Sequence, residues 1–519
     1  MSNKVNQALY DLVQSMTKSE KRYFKLISTR HTIGEENNYI RIFDYLDKSS
    51  AYNEDDLFKY FKNESFLNRF SITKKRLYNN ILSALDAFHT TNSTEAQLYK
   101  MIHSADILYD KSLYDQSRRI LHSAEKLAVK NELSALVLII AEKQKRLIET
   151  AGYSALEDSE IIILTEKACC HLNIIQTQEE LWAVKSRLFN TLSKKGVARS
   201  IEEKNAYNAI VNPIEDLVII DDNTHIMFLY NHIMSAYQYA IGNLKESFDK
   251  LQNNLTLFNQ KEKTHLISPN HQISTLTNAI YISDKLGQHQ ASKKILQQLK
   301  GYSSEVAVNE DLEIKLFSSL TSIELSMHLR AGSFEDALLV AEYAAEKMNL
   351  YGDKITPIRK AFLHFKFAVV YIGHGDFNSA LKFVNEILNS PEIDKSEDII
   401  GFTQLLDLLI HIELRHNKLL PYTLKNAQRF FKTRNRLYHF EKIFLQFIAK
   451  LIKCDDYFDL QTLWENLNNE LSSISNDDIF ESIALEYFDF QAWAEAKLKK
   501  KEFKLIVREK YDRITKTAC

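Results

Sequence analysis

The stretch HFKFAVVYIGHGDFNSALKFVNEI, from His364 to Ile387, decides the fold class of this chain. Apolar residues recur at helical spacing on both sides of a break at Gly375 and Asp376, which predicts two helices joined by a tight turn. Gly375 can close the first helix in the left-handed conformation, and the small Ala380 lets the second helix pack closely on the first. The stretch is therefore predicted to be a helical hairpin.

The same pattern returns one period upstream in AGSFEDALLVAEYAA, where Gly332 and Phe334 take the places of Gly375 and Phe377. Continuing this spacing along the chain predicts further turns, and successive turns are 38 to 46 residues apart. The predicted corners are Ser112, Gly152, Gly196, Gly242, Gly287, Gly332, Gly375, Asn417, Asp455 and Lys501. A period of about 43 residues suits two helices and two short turns.

Two of these corners are expected to be less regular than the others. The segments after Gly152 and Gly196 lack a small residue at the place where the second helix must approach the first. Prolines agree with the spacing elsewhere, because Pro357 follows a capping Thr356 and Pro213 falls in a predicted connection between hairpins.

Composition favours long helices over other architectures. The chain has 519 residues but only 11 Gly and 5 Pro, which argues against many short strands and tight turns. With 45% hydrophobic and 26% charged residues it is neither disordered nor membrane-like. The net charge of -2 gives no global signal for nucleic acid or a membrane surface.

The hairpin pattern resembles the tetratricopeptide repeat. The matching residues are Phe367, Ala368, Tyr371, Gly375, Phe377 and Ala380, with partial matches at Phe490, Trp493, Ala494 and Phe503. The resemblance covers roughly residues 95 to 519 and departs from the family in its period, about 43 residues instead of 34. It implies an all-α fold in which residues 93–519 form a right-handed superhelix of about ten hairpins, with a concave groove for peptides or proteins and no reaction.

Residues 1–92 are predicted to be a separate helical bundle of about five helices. Thr17 and Glu20 form a capping box, Asn53 caps a further helix, and a long helix runs from Thr73 to His89. The lysine and arginine run Lys74, Lys75, Arg76 near its start also suits a helix-turn-helix element that reads DNA. Residues 1–90 hold 14 basic and 11 acidic residues, however, which is not the strongly basic footprint of a nucleic-acid domain.

No catalytic, metal or cofactor site is predicted. The chain has no phosphate-binding glycine loop and no nucleophile elbow, and its four cysteines have no metal-ligand spacing. His411 and His416 are five residues apart, so they do not share a helix face as the two histidines of a zinc helix do. We therefore expect the protein not to be an enzyme.

The resemblance implies a binding surface on the first helix of each hairpin. The residues at these positions are Tyr239, Thr277, Tyr281, Asp284, Ser322, Ser326, Gln404, Asp407 and His411. The predicted function is a non-catalytic scaffold or adaptor that holds a protein or peptide partner in this groove. The alternative is a transcriptional or signalling regulator, with a DNA-binding bundle at residues 1–92 and a peptide sensor behind it.

The remaining expectations concern the chain end, the compartment and self-association. Residues 497–516 are locally basic and are predicted to form a solvated helix that caps the array, or else to dock an acidic partner or nucleic acid. The segment from Leu133 to Ala141 is too short to cross a bilayer, and no export signal is visible, so a cytoplasmic protein is expected. A homodimer remains possible, since the ends of helical arrays can pair.

Overall fold

The computed structural model describes residues 2–30, 37–90, 93–153, 157–215, 223–260, 263–302, 310–393, 398–454, 457–477, 481 and 487–517. Within these residues the regular secondary structure is helical throughout, with 24 α-helices and no strand. The prediction of an all-α fold is confirmed. The chain divides into two compact units, residues 1–175 and 176–519.

The first unit holds eight complete helices and the beginning of a ninth. They are α1 Ser2–Ser15, α2 Lys18–Arg30, α3 Asn38–Lys48, α4 Glu54–Tyr60, α5 Phe70–His89, α6 Thr94–Asp110, α7 Tyr114–Lys130, α8 Ser134–Ala151 and α9 Asp158–Lys195. A short 3-10 segment, Ser65–Arg69, precedes α5.

Helices α1 to α5 form the predicted bundle around a common apolar core. Val13, Ile42 and Leu77, from three different helices, are fully buried in it. The predicted capping box is confirmed, since the Thr17 amide donates to the Glu20 carboxylate at 2.6 Å and the Glu20 amide donates to the Thr17 hydroxyl at 3.3 Å. The boundary between this bundle and the repeats, placed at residues 92 and 93 from the sequence, stays a prediction.

Helices α6, α7 and α8 form consecutive antiparallel pairs around a second core. Ser112 has a φ of 59° between α6 and α7, so the predicted corner is confirmed. Glu132 makes an equivalent left-handed turn between α7 and α8, with a φ of 54°, at a position that glycine spacing does not mark.

The two corners that were expected to be irregular do not bound ordinary hairpins. Gly152 ends α8 and Gly196 follows α9, both with positive φ, but α9 runs unbroken for 38 residues between them. The spacing predicted a second helix, a connection and a new first helix in this interval. A single helix forms instead because no proline or glycine interrupts residues 158–195.

The second unit begins within α9 and continues as helical hairpins. Its helices are α10 Ile201–Glu215, α11 Thr224–Ala240, α12 Leu244–Phe258, α13 Pro269–Lys285, α14 His289–Gly301, α15 Glu310–Ala331, α16 Phe334–Tyr351, α17 Pro357–His374, α18 Phe377–Leu388, α19 Asp398–Glu413, α20 Leu420–Thr433, α21 His439–Leu451, α22 Tyr457–Asp477, α23 Phe490–Lys499 and α24 Phe503–Thr517. We call α11, α13, α15, α17, α19, α21 and α23 the first helices, and their followers the second helices.

Four glycine corners share one geometry. Gly242, Gly287, Gly332 and Gly375 have φ values of 87°, 72°, 69° and 89°. In each corner the amide of the next residue donates to the carbonyl five residues earlier, as Asp376 does to Tyr371 at 2.9 Å. This Schellman-type closure satisfies carbonyls at the end of the first helix, and it confirms these corners.

Two later corners lie slightly before their predicted positions. The left-handed residue is Arg415 instead of Asn417, and Lys500 instead of Lys501. Neither corner contains glycine, and any residue can adopt this conformation at a modest cost, so the sequence pattern does not mark the place. The corner predicted at Asp455 lies outside the described residues. The helical repeat fold is confirmed, while its exact period and its right-handed sense remain predictions.

First and second helices bury different amounts of surface. The first helix α19 buries 11 of its residues, whereas the second helix α20 buries only four, along one stripe. First helices of neighbouring hairpins contact one another, as α13 contacts α15 and α15 contacts α17. The first helices are therefore enclosed between their own partners and their neighbours.

Phe334, the aromatic residue after the Gly332 corner, packs against the next hairpin. A Cβ atom at Gly373 would lie 2.0 Å from the ring of Phe334, so only glycine permits this approach. Phe334 is 1% exposed. Pro357 occupies the first turn of α17 as expected.

The prediction that Pro213 lies in a connection between hairpins is wrong, because Pro213 lies inside α10. Proline removes one main-chain donor and usually kinks a helix. Here the helix ends two residues later, and the buried Val211 and Ile214 hold its last turn against its neighbours.

The C-terminal helix is more than a solvated cap. Ile506 and Val507 of α24 are buried against Phe334, at the corner between α15 and α16. A Cβ atom at Gly332 would lie 2.9 Å from the Arg508 amide nitrogen, so the two segments are in close contact. The basic side chains lie around this buried face, and Lys504 pairs with Glu335 at 3.0 Å. No helix in the described part of the chain has the length and apolar character needed to cross a membrane.

Candidate functional site

The nine predicted groove residues all lie on first helices of the second unit, and we call the surface they share the first-helix surface. Eight of them are half-buried and Asp407 is buried. Half-buried polar side chains are what a lined groove offers a ligand, because they are neither in the core nor fully solvated. The structure also gives several of them partners within the chain.

Tyr239 and Tyr281 meet across neighbouring first helices. Their ring centroids are 6.3 Å apart in an edge-to-face arrangement, and the Lys285 ammonium lies 4.5 Å from the Tyr281 centroid. Such ring and cation contacts stabilise the pair. Thr277, one turn before Tyr281, donates its hydroxyl to the carbonyl of Ile273 at 2.7 Å.

Asp284 is held by an arginine and a histidine. Arg330 Nη1 lies 2.5 Å from one carboxylate oxygen, and His289 Nδ1 lies 3.1 Å from the other. Arg330 comes from the next first helix, so this ion pair joins α13 to α15. Asp284 therefore has a clear architectural role whatever else it contacts.

Lys366 on α17 reaches back to the two predicted serines on α15. Its ammonium donates to the Ser322 carbonyl at 2.9 Å and to the Ser326 hydroxyl. Burial, and then the nearby Arg330, lower the pKa of Lys366 to about 8. Its hydrogen-bond partners are uncharged oxygens, so the positive charge is solvated by the protein without being neutralised.

Lys315 on α15 repeats this arrangement one hairpin earlier. It donates to the Asn270 carbonyl at 2.6 Å and to the Ser274 hydroxyl at 2.5 Å, both on α13. Burial and the nearby Arg359 lower the pKa of Lys315 to about 8, and the smaller effect of Asp311 opposes them. Two successive first helices therefore carry a lysine whose main partners are neutral groups on the preceding first helix.

Two histidines lie next to this lysine row. His232 and His271 have ring centroids 6.3 Å apart, and the rings of Phe189 and Phe228 stack on His232. Burial, and then Lys185, lower the pKa of His232 to about 3. Burial and Lys185 also lower the pKa of His271 to about 4, helped by His225 and Lys315. These rings are neutral at physiological pH because their surroundings are both apolar and positive.

Asp407, His411 and His416 form a separate short chain of polar groups. His411 Nε2 lies 3.5 Å from the Asp407 carboxylate, and His411 Nδ1 lies 2.9 Å from His416 Nδ1. Burial raises the pKa of Asp407 to about 6. The described residues contain no group of three or more ligands suited to a metal ion. Gln404 lies apart from this chain, beside Arg429 and Phe430 of α20.

A second cluster joins segments that are distant in sequence, and we call it the closure cluster. Arg199, in the turn before α10, donates from Nη1 to Glu441 at 2.5 Å and from Nη2 to Glu481 at 2.6 Å. These contacts span 242 and 282 residues. All three side chains are buried, with at most 7% exposed. Glu481 also accepts from the amides of His439 and Phe440, at the N-terminus of α21.

The closure cluster continues through Asp398. Arg436 donates to the Asp398 carboxylate and, at 2.6 Å, to the Lys195 carbonyl. The Tyr487 hydroxyl donates to the same carboxylate at 2.8 Å. A Cβ atom at Gly196 would lie 2.5 Å from an Asp398 oxygen, and the φ of this residue is 70°. Glycine is therefore required there both by the close approach and by the left-handed backbone.

Tyr487 also links the closure cluster to the first-helix surface. Its ring stacks on Phe402 at 3.7 Å. Burial, Asp398, and the neighbouring Tyr239 and Tyr281 all raise the pKa of Tyr487. A segment near the end of the chain thus lies on the surface that the sequence assigned to a partner, beside two of the predicted binding residues.

An open cleft lies on the other side of α15, between that helix and α16. It has a volume of about 680 Å³ and is lined by apolar and aromatic side chains with two acids and a lysine. The Lys347 ammonium is within 6.0 Å of the rings of Phe317, Tyr343 and Tyr351. Tyr343 is 57% exposed, so part of this cleft faces solvent.

The three basic residues of the predicted DNA-contacting run, Lys74, Lys75 and Arg76, differ in their surroundings. Lys74 pairs with Glu54 at 2.9 Å and lies 5.0 Å from the Phe70 ring centroid. Lys75 and Arg76 are exposed. Because Lys74 is already neutralised within the bundle, the basic run offers a phosphate backbone less charge than the sequence suggests.

The sequence reasoning missed the cations of the first-helix surface and every member of the closure cluster. A signal for Lys366 exists, since it is the one charged residue in AFLHFKFAVVYI, residues 361–372. A lone lysine in an otherwise apolar stretch of helix needs buried partners. Arg199 and Glu441 have no comparable signal, because a contact across 242 residues follows no repeat spacing.

Comparison with known proteins adds one finding. No protein-family model matches the chain, and no curated protein is significantly similar to it. Among solved structures it is similar to the apo form of the quorum sensor NprR from B. thuringiensis, with 15% identity and a TM-score of 0.42. The match covers 75% of this chain and 97% of that chain. A likeness at this level carries no inference about ligand or activity.

Proposed function

We propose that this chain is a non-catalytic binding protein that holds a peptide or a protein segment on the first-helix surface of its second unit. The observation that carries the proposal is the row of half-buried polar side chains on successive first helices. Such a row offers repeated hydrogen-bond donors and acceptors at the spacing of neighbouring helices, which suits an extended chain better than a compact small molecule.

Aromatic side chains supply the apolar part of such a site. Tyr239 and Tyr281 form an edge-to-face pair beside Lys285. Tyrosines that are fixed by their neighbours lose little conformational freedom when a ligand packs on them, which makes them effective anchors. The position of Tyr487 next to both tyrosines supports this part of the proposal, because it is an aromatic side chain packed beside them.

The regulator with a DNA-binding bundle receives less support. Its basic run at the start of α5 includes Lys74, which is already paired with Glu54. We therefore propose the scaffold or adaptor role, inside the cell, over the DNA-linked one.

The test is selection of binders from a library of random short peptides displayed on phage, with the full chain as bait. We expect peptides whose affinity falls by about tenfold in Tyr281→Ala, since an aromatic anchor contributes more than about 1.4 kcal/mol. Tyr343→Ala, which truncates the same residue type in the cleft between α15 and α16, is the matched control and should bind normally.

Other outcomes separate the possible surfaces. Loss of binding in Tyr343→Ala alone would move the site to the cleft, and failure to select any peptide would refute the proposal. Mass spectrometry of the bound peptides after incubation tests the non-catalytic part, because a cleaved or modified peptide would contradict it.

A further inference from the structure

We propose that the ligand of the first-helix surface is an acidic peptide segment, whose side-chain carboxylates pair with Lys315 and Arg359 of the first helices and with Lys185 of α9, which contacts α11. This inference rests on the proposed function and specifies the chemistry of the ligand. The three cations lie on α9, α15 and α17, and the neutral rings of His232 and His271 lie beside them on α11 and α13; we call these five side chains the strip.

The first step of the argument is that the strip has excess positive charge. Neither Lys185 nor Arg359 is paired with a carboxylate in the part of the chain that the structure describes. Lys315 donates to the oxygens of Asn270 and Ser274, which carry no charge. Asp311, one turn before Lys315, attracts it more weakly than Arg359 repels it.

The second step is that the strip is continuous from helix to helix. Phe189 lies one turn after Lys185 on α9 and stacks on His232 at 5.3 Å. His232 lies 6.3 Å from His271, and Asn270, the residue before His271, receives the hydrogen bond from Lys315. Ring contacts and a hydrogen bond thus link α9 to α11, α11 to α13 and α13 to α15, from the helix of Lys185 to the helix of Lys315.

The third step is that the environment strengthens any ion pair formed there. Lys185 and Lys315 are half-buried, and burial is the largest cause of their lowered pKa values. A carboxylate placed beside them would be less screened than at an open surface, and it would remove part of the repulsion between neighbouring cations.

The distribution of charge favours a peptide over a phosphate compound. A phosphate group concentrates its charge on one compact site and is usually held by converging donors. Here the cations belong to three helices and are separated by aromatic rings and histidines. Carboxylates spaced along an extended chain can meet such a strip one after another.

The experiment measures fluorescence anisotropy of labelled oligoglutamate, with oligoglutamine of equal length as the uncharged probe, at roughly physiological ionic strength. We expect the full chain to bind oligoglutamate at least about tenfold more tightly than oligoglutamine. The double variant K185Q/K315Q should weaken oligoglutamate binding by about tenfold, because it removes two partly desolvated charge pairs.

The matched control is K425Q/K442Q, which removes the same two charges from exposed positions on α20 and α21. It should change the affinity by less than about twofold. Equal loss in both double variants would overturn the proposal, because it would show a general charge effect. Equal affinity for the two probes would overturn it as well.

Two further results distinguish a failure of the acidic-ligand inference from a failure of the proposed peptide-binding function. If the phage library yields binders that are not acidic and that K185Q/K315Q still binds, the peptide-binding function stands and the acidic-ligand inference falls. If the library yields none, the function itself falls. Displacement of oligoglutamate by pyrophosphate at a far lower concentration than by free glutamate would overturn the peptide assignment in favour of a compact phosphate ligand.

Discussion

Arg199 and Lys366 are both largely shielded from water in the second compact unit, but the protein surrounds them with different partners. Arg199 faces the carboxylates of Glu441 and Glu481. Lys366 donates to a carbonyl and a hydroxyl, on Ser322 and Ser326. The first cation is matched by opposite charge, and the second is only solvated.

We interpret this difference as one between a cation that stabilises the fold and a cation whose charge is left for another partner. A buried ion pair between segments 242 residues apart fixes one arrangement of the chain, because breaking it leaves charges stranded in the interior. A cation without a carboxylate costs free energy in the folded state, and such local costs are concentrated at functional sites. The closure cluster therefore holds the unit together, while the first-helix surface keeps positive charge without a carboxylate partner, which is the charge that we propose a ligand meets.

The strongest test of the closure cluster is Arg199→Met. It should lower the free energy of unfolding of the second unit by about 3–5 kcal/mol, since two carboxylates are left buried without their partner. Urea unfolding followed by tryptophan fluorescence measures it, and all three tryptophans, Trp182, Trp464 and Trp493, lie in the second unit.

The control for this variant removes the stranded charges too. Arg199→Met combined with Glu441→Gln and Glu481→Gln should recover much of the loss, because neutral amides cost less to bury than carboxylates. A triple variant as unstable as the single one would show that Arg199 acts through packing, including its contact with the Tyr438 ring, and not through charge.

A second test compares two glycines with the same backbone conformation. Gly196 and Gly287 have φ values of 70° and 72°, but only Gly196 faces a neighbour, the Asp398 carboxylate. Gly287→Ala should cost about 1 kcal/mol for the left-handed conformation. Gly196→Ala should cost about 2–4 kcal/mol, because the new methyl group also displaces a buried carboxylate. Equal losses in the two urea unfolding curves would mean that Asp398 moves without cost.

The third test uses pH to detect the unmatched charge of Lys366. Its pKa is lowered to about 8 from the ordinary 10.5, so between these values the unfolded chain binds more protons than the folded chain. The free energy of unfolding of the wild type should therefore rise with pH across this window, relative to Lys366→Met, by on the order of 2–3 kcal/mol.

Lys425→Met is the control for this window, since Lys425 is exposed on α20. Its free energy of unfolding should follow that of the wild type at every pH, because the remaining titratable groups are common to all three proteins and their effects cancel. If the free energy of unfolding changes equally with pH in the wild type and in Lys366→Met from pH 8 to 10.5, the charge of Lys366 is already balanced by an opposite charge in the folded protein.

The sequence was informative where the local pattern determines the structure. The corner at Gly375 follows from an apolar run, a glycine and a small residue in the next helix, all within a few turns. The capping box at Thr17 and Glu20 is equally local. Where the left-handed corner residue is not glycine, the pattern fails. It does not predict the corner at Glu132, and it places the corner at Arg415 two residues too late, at Asn417.

The residues of the candidate site were predictable only in part, for a related reason. Repeat spacing places Tyr239 and Tyr281, 42 residues apart, on neighbouring first helices, and their rings do meet. It says nothing about which charges face each other across the unit. Arg199 meets Glu481 because the folded path of the chain brings residues 282 apart together, and no periodicity in the sequence encodes that distance.

The smallest expected effect concerns the hydroxyl that solvates Lys366. Ser326→Ala should lower the free energy of unfolding at pH 7 by about 1 kcal/mol, because a hydrogen bond to a charged donor is lost inside the protein. Ser319→Ala on the same helix, whose side chain is also half-buried, is the control and should be nearly neutral. Thermal or urea unfolding resolves the difference between the two variants.

The pH dependence of that loss decides its cause. As pH rises through about 8, Lys366 loses its proton in the folded state, and the bond from a neutral amine to the Ser326 hydroxyl is weaker than the bond from an ammonium. The destabilisation by Ser326→Ala should therefore shrink above this pH. A loss that stays constant would mean that Ser326 packs against α17 without solvating a charge, and Lys366 would then no longer contrast with Arg199.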